Sequence, residues 1–136
     1  MDSGASTTYF APPKRFNILV IDDNVLLLRT VKEMLSADYQ VAIATSGNQA
    51  FDQIAIRIPD LILLDYEMPY QNGSDLFKKI KSDYALSDIP IIFFTSSSDL
   101  TTVTKLLSLK PDGYMLKPPS KTKLVALIEK TLQHKK

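Results

Sequence analysis

Acidic, hydroxyl and ammonium side chains follow separate apolar runs of this sequence. Asp22 and Asp23 come after the first run, Asp65 after the third, Thr95 after the fourth and Lys117 after a weaker fifth. Three carboxylates that lie close together resist ionising side by side unless a cation sits among them. Oxygen ligands of this kind suit magnesium, which keeps several waters and favours partners that contain phosphate. If the fold brings these residues together, they predict a magnesium site.

A magnesium site with these neighbours could carry out phosphoryl transfer. One carboxylate can attack a phosphoryl group as nucleophile, while the other charges position the group and neutralise it. A lysine can pair with one phosphoryl oxygen, and a threonine hydroxyl can donate to another. Each feature alone has an ordinary structural interpretation, since Asp-Asp and Lys-Pro pairs often form turns or helix caps. The prediction therefore depends on all of them falling on one edge of a sheet.

The apolar runs are nearly continuous rather than alternating. This pattern is typical of strands that are buried on both faces, as in a parallel sheet. Four runs are predicted to be such strands, and a fifth is weaker. They span Phe16 to Ile21, Val41 to Ala44, Leu61 to Leu64, Ile91 to Phe94 and, more weakly, Tyr114 to Leu116.

The segments between and after these runs carry apolar residues three and four positions apart, which is typical of amphipathic helices. Pro59 is predicted to stop the second helix, Gly73 or Ser74 to lie near the start of the third, and Ser120 to cap the fifth. The predicted apolar faces are Leu28, Val31 and Leu35, then Phe51, Ile54, Ala55 and Ile58, then Leu76, Phe77 and Ile80, then Val103, Leu106 and Leu107, and finally Leu124, Leu127, Ile128 and Leu132.

A strand followed by a helix, five times over, predicts a doubly wound α/β fold. In such folds the right-handed crossovers place ligands at the carboxyl ends of the strands. The acidic, hydroxyl and ammonium side chains named above all follow strands, so this fold would bring them to the same edge.

The size and composition fit one globular domain without a strong net charge. The chain has 136 residues, of which 45% are hydrophobic and 23% charged, and its formal net charge is +1. We therefore expect no direct binding to nucleic acid. The sequence has no cysteine for disulfides and no apolar run near the roughly 20 residues of a membrane span, so we expect no membrane insertion. Residues 1–14 are predicted to be a flexible arm, residues 15–134 one domain, and the protein soluble and cytoplasmic.

Four segments resemble the receiver domain of two-component response regulators, of the chemotaxis-receiver type. They are ILVIDDN (18–24), LILLDYEMP (61–69) followed by Gly73, IPIIFFTS (89–96) and DGYMLKP (112–118). The 30 residues from Asp65 to Thr95 and the 22 from Thr95 to Lys117 also fit this family. The resemblance covers about residues 17–132. It implies a flavodoxin-like (βα)5 fold, with five parallel strands in the order 2-1-3-4-5 and helices on both faces.

The resemblance also implies a role for each acidic residue at the predicted edge. Asp65 would be the phospho-acceptor. Asp23 and Asp65 would bind Mg²⁺, or Mn²⁺ in its place, directly. The backbone carbonyl of Glu67 would be a third protein ligand, and Asp22 would act through water.

Thr95, Lys117 and Tyr114 complete the implied switch. Thr95 would hydrogen-bond the phosphoryl group, and Lys117 would form an ion pair with it. Tyr114 matches the aromatic residue that moves between exposed and buried positions together with Thr95, although an ordinary half-buried strand residue stays an alternative for it. The Lys117–Pro118 peptide bond is expected to be cis. The movement of Thr95 and Tyr114 would alter a surface formed by the fourth helix, the fifth strand and the fifth helix.

The implied partners are a sensor histidine kinase or phosphotransfer protein, an unidentified output protein, and a second copy of the chain bound through the same surface. The protein would be a switch rather than an enzyme, since it would catalyse only its own phosphorylation and dephosphorylation. Two alternatives stay open. One is a receiver-like binding module that works without phosphorylation, and the other is a phosphohydrolase with an aspartate nucleophile, in which Glu67 would be the second acid.

Two features concern positions that vary within the family that this sequence resembles. Lys110-Pro111-Asp112-Gly113 stands where the family more often has a Gly-Ala pair and further acids, so Pro111 could stiffen the loop before the fifth strand. Glu67 and Ser97 occupy the two variable positions that tune dephosphorylation in receivers. The sequence leaves open whether the chain stands alone or belongs to a longer regulator or hybrid kinase.

Overall fold

The bounds of the strands and helices come from a computed structural model that describes residues 15–134. The predicted arm at residues 1–14 lies outside the described residues. Within the described part, no helix has both the length and the apolar character needed to cross a membrane. The strands are β1 (Asn17–Ile21), β2 (Gln40–Ala44), β3 (Leu61–Asp65), β4 (Ile91–Thr95) and β5 (Gly113–Leu116). The helices are α1 (Val25–Leu35), α2 (Gly47–Ile56), α3 (Gly73–Ser82), α4 (Leu100–Ser108) and α5 (Lys121–Gln133).

The five strands form one parallel sheet in the order β2-β1-β3-β4-β5. β3 lies in the centre, between β1 and β4, and all five of its residues are buried. β4 is equally buried, which explains why both segments are continuously apolar rather than alternating. The predicted doubly wound α/β fold, with strand order 2-1-3-4-5, is therefore confirmed.

Helices cover both faces of the sheet because successive strand residues point to opposite sides. On one face, α1 and α5 pack over Ile18 and Val20. On the other face, α2, α3 and α4 pack over Leu19 and Ile21. Each fully buried aliphatic side chain contributes roughly 1.5–3 kcal/mol, so the two clusters supply most of what holds the helices to the sheet.

Side-chain caps begin four of the helices, in the loops that leave the strands. In each case the backbone N–H three residues further on donates to the capping side chain. These caps are Asn24 for α1, Ser46 for α2, Asn72 for α3 and Ser120 for α5. The prediction that Ser120 caps the fifth helix is confirmed. Because a cap determines where strand turns into helix, it also positions the polar residues of that loop.

Two helical faces differ from those predicted. α2 ends two residues before Ile58, and both Ala55 and Ile58 are exposed rather than directed into the core. The helix ends early because a residue that precedes a proline, here Ile58 before Pro59, disfavours helical backbone. In α4, Leu106 is buried but Leu107 is 48% exposed, so the predicted core position of Leu107 is wrong. Adjacent helical positions point about a quarter turn apart, and this short helix turns the position of Leu106 to the core.

The start of α3 lies directly against the end of β3, and this contact requires a glycine. The Gly73 N–H donates to Tyr66 O at 3.0 Å. A Cβ atom at Gly73 would lie 2.3 Å from the backbone oxygen of Asp65 and 2.7 Å from the Cα of Tyr66. Because the obstacle is backbone, it cannot rotate away, and any side chain here would displace the loop after β3.

We expect Gly73→Ala to destabilise the fold by about 1–3 kcal/mol, because the methyl group overlaps the backbone at the end of β3. Gly47→Ala is the matched control. Gly47 is also the first residue of a helix, but its added Cβ would meet the far end of the Gln71 side chain, which can move aside. Gly47→Ala should change the free energy of unfolding by less than about 1 kcal/mol. Urea unfolding followed by circular dichroism measures both, and equal losses would contradict the expectation.

Candidate functional site

Four neighbouring strands bring the predicted site residues to one edge of the sheet. Asp22 directly follows β1, and Asp65 is the last residue of β3. Thr95 is the last residue of β4, and Lys117 directly follows β5. Because β1, β3, β4 and β5 are adjacent and parallel, these positions are also neighbours in space. The Lys117 N–H donates to Thr95 O at 2.9 Å, which extends the pairing of the last two strands beyond their ends.

The Lys117 ammonium bridges two of the carboxylates. Its Nζ lies 2.8 Å from Asp22 Oδ2 and 2.9 Å from Asp65 Oδ1. Burial alone would lower the pKa of this ammonium, but the carboxylates of Asp22 and Asp65 outweigh that effect and raise the pKa above its ordinary value. Lys117 therefore stays charged and neutralises part of the negative charge at the edge of the sheet.

The Asp65 carboxylate is almost inaccessible to solvent, with 1% of the residue exposed. Its Oδ1 accepts hydrogen bonds from Lys117 Nζ at 2.9 Å and from the backbone N–H of Glu67 at 3.0 Å. Burial, assisted by the neighbouring Asp22 carboxylate, raises the pKa of Asp65 from 3.8 to about 6 although these two hydrogen bonds lower it. Ionised Asp65 is thus under-stabilised, and further positive charge at this site would favour it.

Asp22, Asp23 and Asp65 form a group that could hold a metal ion. One carboxylate oxygen of each lies within 4.8 Å of the others. Asp22 is fully buried, and its Oδ1 accepts a hydrogen bond from the Asn24 backbone N–H at 2.9 Å. Its Oδ2 faces Lys117 as an ion pair but makes no aligned hydrogen bond within residues 15–134. Asp23 is exposed, so waters can reach the group, and this donor set fits a hard divalent cation.

The Glu67 side chain ties the loop after β3 to the end of β4. Its Oε2 accepts a hydrogen bond from Thr95 Oγ1 at 2.6 Å. Its Oε1 accepts from the Ser96 backbone N–H at 3.0 Å and from Ser96 Oγ at 3.2 Å. The predicted role of Glu67 as a metal ligand concerns its backbone carbonyl, and the bridge that its side chain makes to Thr95 and Ser96 was not predicted. The available signal was an acid two residues after Asp65, opposite a run of hydroxyl residues that ends the neighbouring strand.

Tyr114 lies on β5, at the edge of the sheet, and faces outward. It is 38% exposed, and Leu116, two residues further on, is also exposed. The Cα of Tyr114 is in register with that of Phe93 on β4, which places the ring near the strand that ends in Thr95. The Lys117–Pro118 peptide bond after this strand is cis, as predicted.

The amino-acid sequence matches known receiver domains over most of its length. The family model for the response regulator receiver domain matches residues 18–129. The transcriptional regulatory protein CrdR of Helicobacter pylori is 34% identical over 114 residues, which are 83% of this chain and 53% of CrdR. The sensor histidine kinase TmoS of Ectopseudomonas mendocina is 31% identical over 133 residues, which are 98% of this chain and 14% of TmoS. The chain therefore spans about half of the first relative and a small part of the second.

The fold also matches solved receiver structures. The signal receiver domain of a signal transduction histidine kinase from Syntrophus aciditrophicus superposes with a TM-score of 0.78 at 28% sequence identity. The match covers 87% of this chain and 90% of that structure. The likeness thus extends over nearly the whole of that domain.

Asp65→Asn is expected to stabilise the metal-free protein at neutral pH. Because folding raises the pKa of Asp65 from 3.8 to about 6, the folded state binds its proton more tightly than the unfolded chain does. The contribution of Asp65 to the free energy of unfolding is therefore greatest below about pH 4, falls as the pH rises to about 6, and stays lower above that. Asparagine cannot ionise and removes this loss, which is worth about 1–3 kcal/mol.

Urea unfolding in the presence of EDTA, repeated from about pH 4 to about pH 8, measures this difference. The gap between the two proteins should grow from near zero at the acid end to its full size at neutral pH. Glu33→Gln, which removes an exposed carboxylate from α1, controls for the change in net charge. An Asp65→Asn variant that is less stable than wild type at neutral pH, or a difference that does not change with pH, would contradict the raised pKa of Asp65.

Proposed function

The chain belongs to the response regulator receiver domain family, and we propose that it is a switch operated by phosphorylation of Asp65. It is a receiver domain of the kind found in two-component response regulators and in histidine kinases. One observation carries the proposal. The buried Asp65 carboxylate lies 2.9 Å from the Lys117 ammonium and belongs to a group of three carboxylates able to hold a cation.

The proposed reaction moves a phosphoryl group from a phosphohistidine of a partner protein to Asp65. A carboxylate oxygen of Asp65 attacks the phosphorus while the bond from phosphorus to the histidine nitrogen breaks, and the electron pair of that bond stays on the imidazole. The product is an acyl phosphate on Asp65. Attack of water on the phosphorus later releases inorganic phosphate and restores the carboxylate.

Charge neutralisation is the main contribution of the surrounding residues, as in other phosphoryl transfers. Lys117 Nζ, already within 2.9 Å of Asp65, is placed to pair with a phosphoryl oxygen. A divalent ion, Mg²⁺ or Mn²⁺, would supply the remaining positive charge. Its proposed ligands are Asp23, Asp65, the backbone carbonyl of Glu67 and, through water, Asp22.

The proposed switch begins at Thr95 and ends at the surface formed by α4, β5 and α5. The Thr95 hydroxyl would exchange Glu67 for a phosphoryl oxygen, and Tyr114 would move inward from its exposed position. This surface carries exposed apolar side chains at Leu107, Tyr114 and Leu116. Exposed apolar groups of this kind suit a protein partner, here an output protein or a second copy of the chain. Movement of Tyr114 would change the affinity of this surface for that partner.

The proposed partners follow from the same chemistry. A sensor histidine kinase or a phosphotransfer protein would supply the phosphohistidine, in the cytoplasm. The chain would catalyse only its own phosphorylation and dephosphorylation and would act on no other substrate.

Mg²⁺ is expected to stabilise the resting protein through the three carboxylates. At a free Mg²⁺ concentration about ten times Kd, the gain is about 1.4 kcal/mol, and thermal unfolding measures it as a rise in Tm. Asp23→Asn removes one proposed ligand from an exposed position and should abolish most of the rise. Asp52→Asn, which alters an exposed acid of α2, should keep it. An undiminished rise in Asp23→Asn would show that Mg²⁺ binds elsewhere.

Acetyl phosphate with Mg²⁺ is expected to phosphorylate the wild-type protein once. Intact mass spectrometry should show a gain of about 80 Da, the mass of one phosphoryl group. The gain should be absent when the reaction mixture contains EDTA from the start. Asp65→Asn should show no gain, because the amide is a much weaker nucleophile than a carboxylate. Circular dichroism of this variant checks that its fold is intact.

The other outcomes of this experiment separate the alternative functions. No gain in the folded wild-type protein would sink the proposal and favour a binding module that works without phosphorylation. Continuous turnover of a generic phosphate ester would instead favour a phosphohydrolase. A gain that persists in Asp65→Asn would move the modification to another residue.

A further inference from the structure

The hydrogen-bond donors at the end of β4 are occupied by an anion that the chain itself supplies. Glu67 Oε2 accepts from the Thr95 hydroxyl at 2.6 Å, and Oε1 accepts from the Ser96 backbone N–H at 3.0 Å. The Ser96 hydroxyl adds a contact to Oε1 at 3.2 Å. Backbone N–H and hydroxyl groups that hold a carboxylate in this way are equally suited to the oxygens of a phosphoryl group.

These donors lie beside the place that a phosphoryl group on Asp65 would occupy. β3 and β4 are paired, and Asp65 is in register with Phe94, the residue before Thr95. The Glu67 backbone N–H also donates to Asp65 Oδ1 at 3.0 Å, so Glu67 contacts the ends of both strands. A phosphoryl group brings three oxygens beyond the one that it shares with Asp65. Each of them favours a hydrogen-bond donor or a cation as its partner.

We propose that the Glu67 carboxylate is an internal competitor of the phosphoryl group, which holds Thr95 and Ser96 in the resting state and has to leave when Asp65 is phosphorylated. The inference rests on the function proposed above. Glu67 is exposed, so its side chain can turn into solvent without disturbing the core. It is a positioning residue that acts through Thr95 and Ser96, and it takes no part in the transfer itself.

Charge acts in the same direction as this competition. Glu67 adds a carboxylate to an edge that already carries Asp22, Asp23 and Asp65, two of which, Asp22 and Asp65, pair with the Lys117 ammonium. A phosphoryl donor such as acetyl phosphate is an anion, so a further negative charge among these groups disfavours its approach. Loss of the Glu67 carboxylate therefore speeds phosphorylation through two effects, and the choice of variant separates them.

Two variants of Glu67 and one control separate competition from charge. Glu67→Gln removes the charge and leaves one acceptor oxygen in place of two. Glu67→Asp keeps the charge but is shorter by one methylene, which draws the carboxylate back from Thr95 and Ser96. Asp99→Asn removes a negative charge from the loop after β4, where the Asp99 side chain makes no capping hydrogen bond among the described residues.

The test compares the rates at which acetyl phosphate with Mg²⁺ phosphorylates these four proteins, followed by intact mass spectrometry. Glu67→Gln is expected to react faster than wild type by on the order of tenfold, which corresponds to the loss of a hydrogen bond to a charged group. Glu67→Asp should also be faster, by a smaller factor, and Asp99→Asn should match wild type. In the resting proteins, the amide resonance of Ser96 in ¹H–¹⁵N NMR spectra should shift in both Glu67 variants and stay unchanged in Asp99→Asn.

The outcomes distinguish this inference from the proposed function. Equal rates in all four proteins, each of them phosphorylated, overturn the competitor role and leave the function intact. If Glu67→Gln reacts faster than wild type but Glu67→Asp reacts at the wild-type rate, charge repulsion alone explains the difference, and the competitor role is also overturned. A Ser96 amide resonance that does not shift in either Glu67 variant would contradict the contact between Glu67 and Ser96 on which the inference rests. No phosphorylation of any protein overturns the proposed function and this inference with it.

Discussion

The charge of Asp65 has to be balanced at the buried end of the central strand, and the rest of the site depends on how this is done. A carboxylate with so little access to water is costly to ionise, and burial accordingly raises its pKa to about 6. Lys117 offsets part of this cost from the neighbouring edge of the sheet, but it also pairs with Asp22. Two carboxylates that share this ammonium, with the Asp23 carboxylate in the same group, leave a deficit of positive charge. The deficit gives the site a physical reason to take up a cation and, with it, an anionic group that the cation and Lys117 can hold.

Strand pairing and the starts of the helices determine where these groups lie. Four adjacent parallel strands end at one edge, so a single sheet aligns residues that are up to 95 positions apart between Asp22 and Lys117. Caps at Asn24, Asn72 and Ser120 turn the chain into helix close after the strands. At Gly73 the helix approaches so closely that the backbone of Asp65 leaves no room for a Cβ atom. The precision of the site is therefore a property of strand pairing and helix starts.

The sequence predicted the elements that are buried along their whole length. It did not predict features that depend on the orientation of a helix, on the backbone conformation of one residue or on the rotamer of one side chain. Unbroken apolar runs revealed β3 and β4, and the polar residues at their ends identified the edge at which the site lies. By contrast, Leu107 is apolar but exposed, because hydrophobicity alone does not say which of two adjacent helical positions faces the core. Lys110 adopts φ = 58°, a left-handed conformation at the end of α4 that its residue type does not signal. The Glu67 contacts were equally hidden, since they depend on one side-chain rotamer bridging two loops.

The Glu67 contacts change what phosphorylation has to achieve at this site. If the donors of Thr95 and Ser96 were satisfied by water, a phosphoryl group would compete with solvent for them. In the proposed switch it replaces a carboxylate that is already bound, so the relevant quantity is the difference in free energy between two anions at the same donors. A ligand shifts a two-state equilibrium only by its differential affinity for the two states. Under this proposal Glu67 lowers the free energy of the resting state and holds Thr95 in one defined place, and the covalently attached anion, assisted by Lys117 and a cation, has to displace it. A switch built as an exchange of partners keeps its buried hydroxyl satisfied in both states, which an unpaired Thr95 could not do.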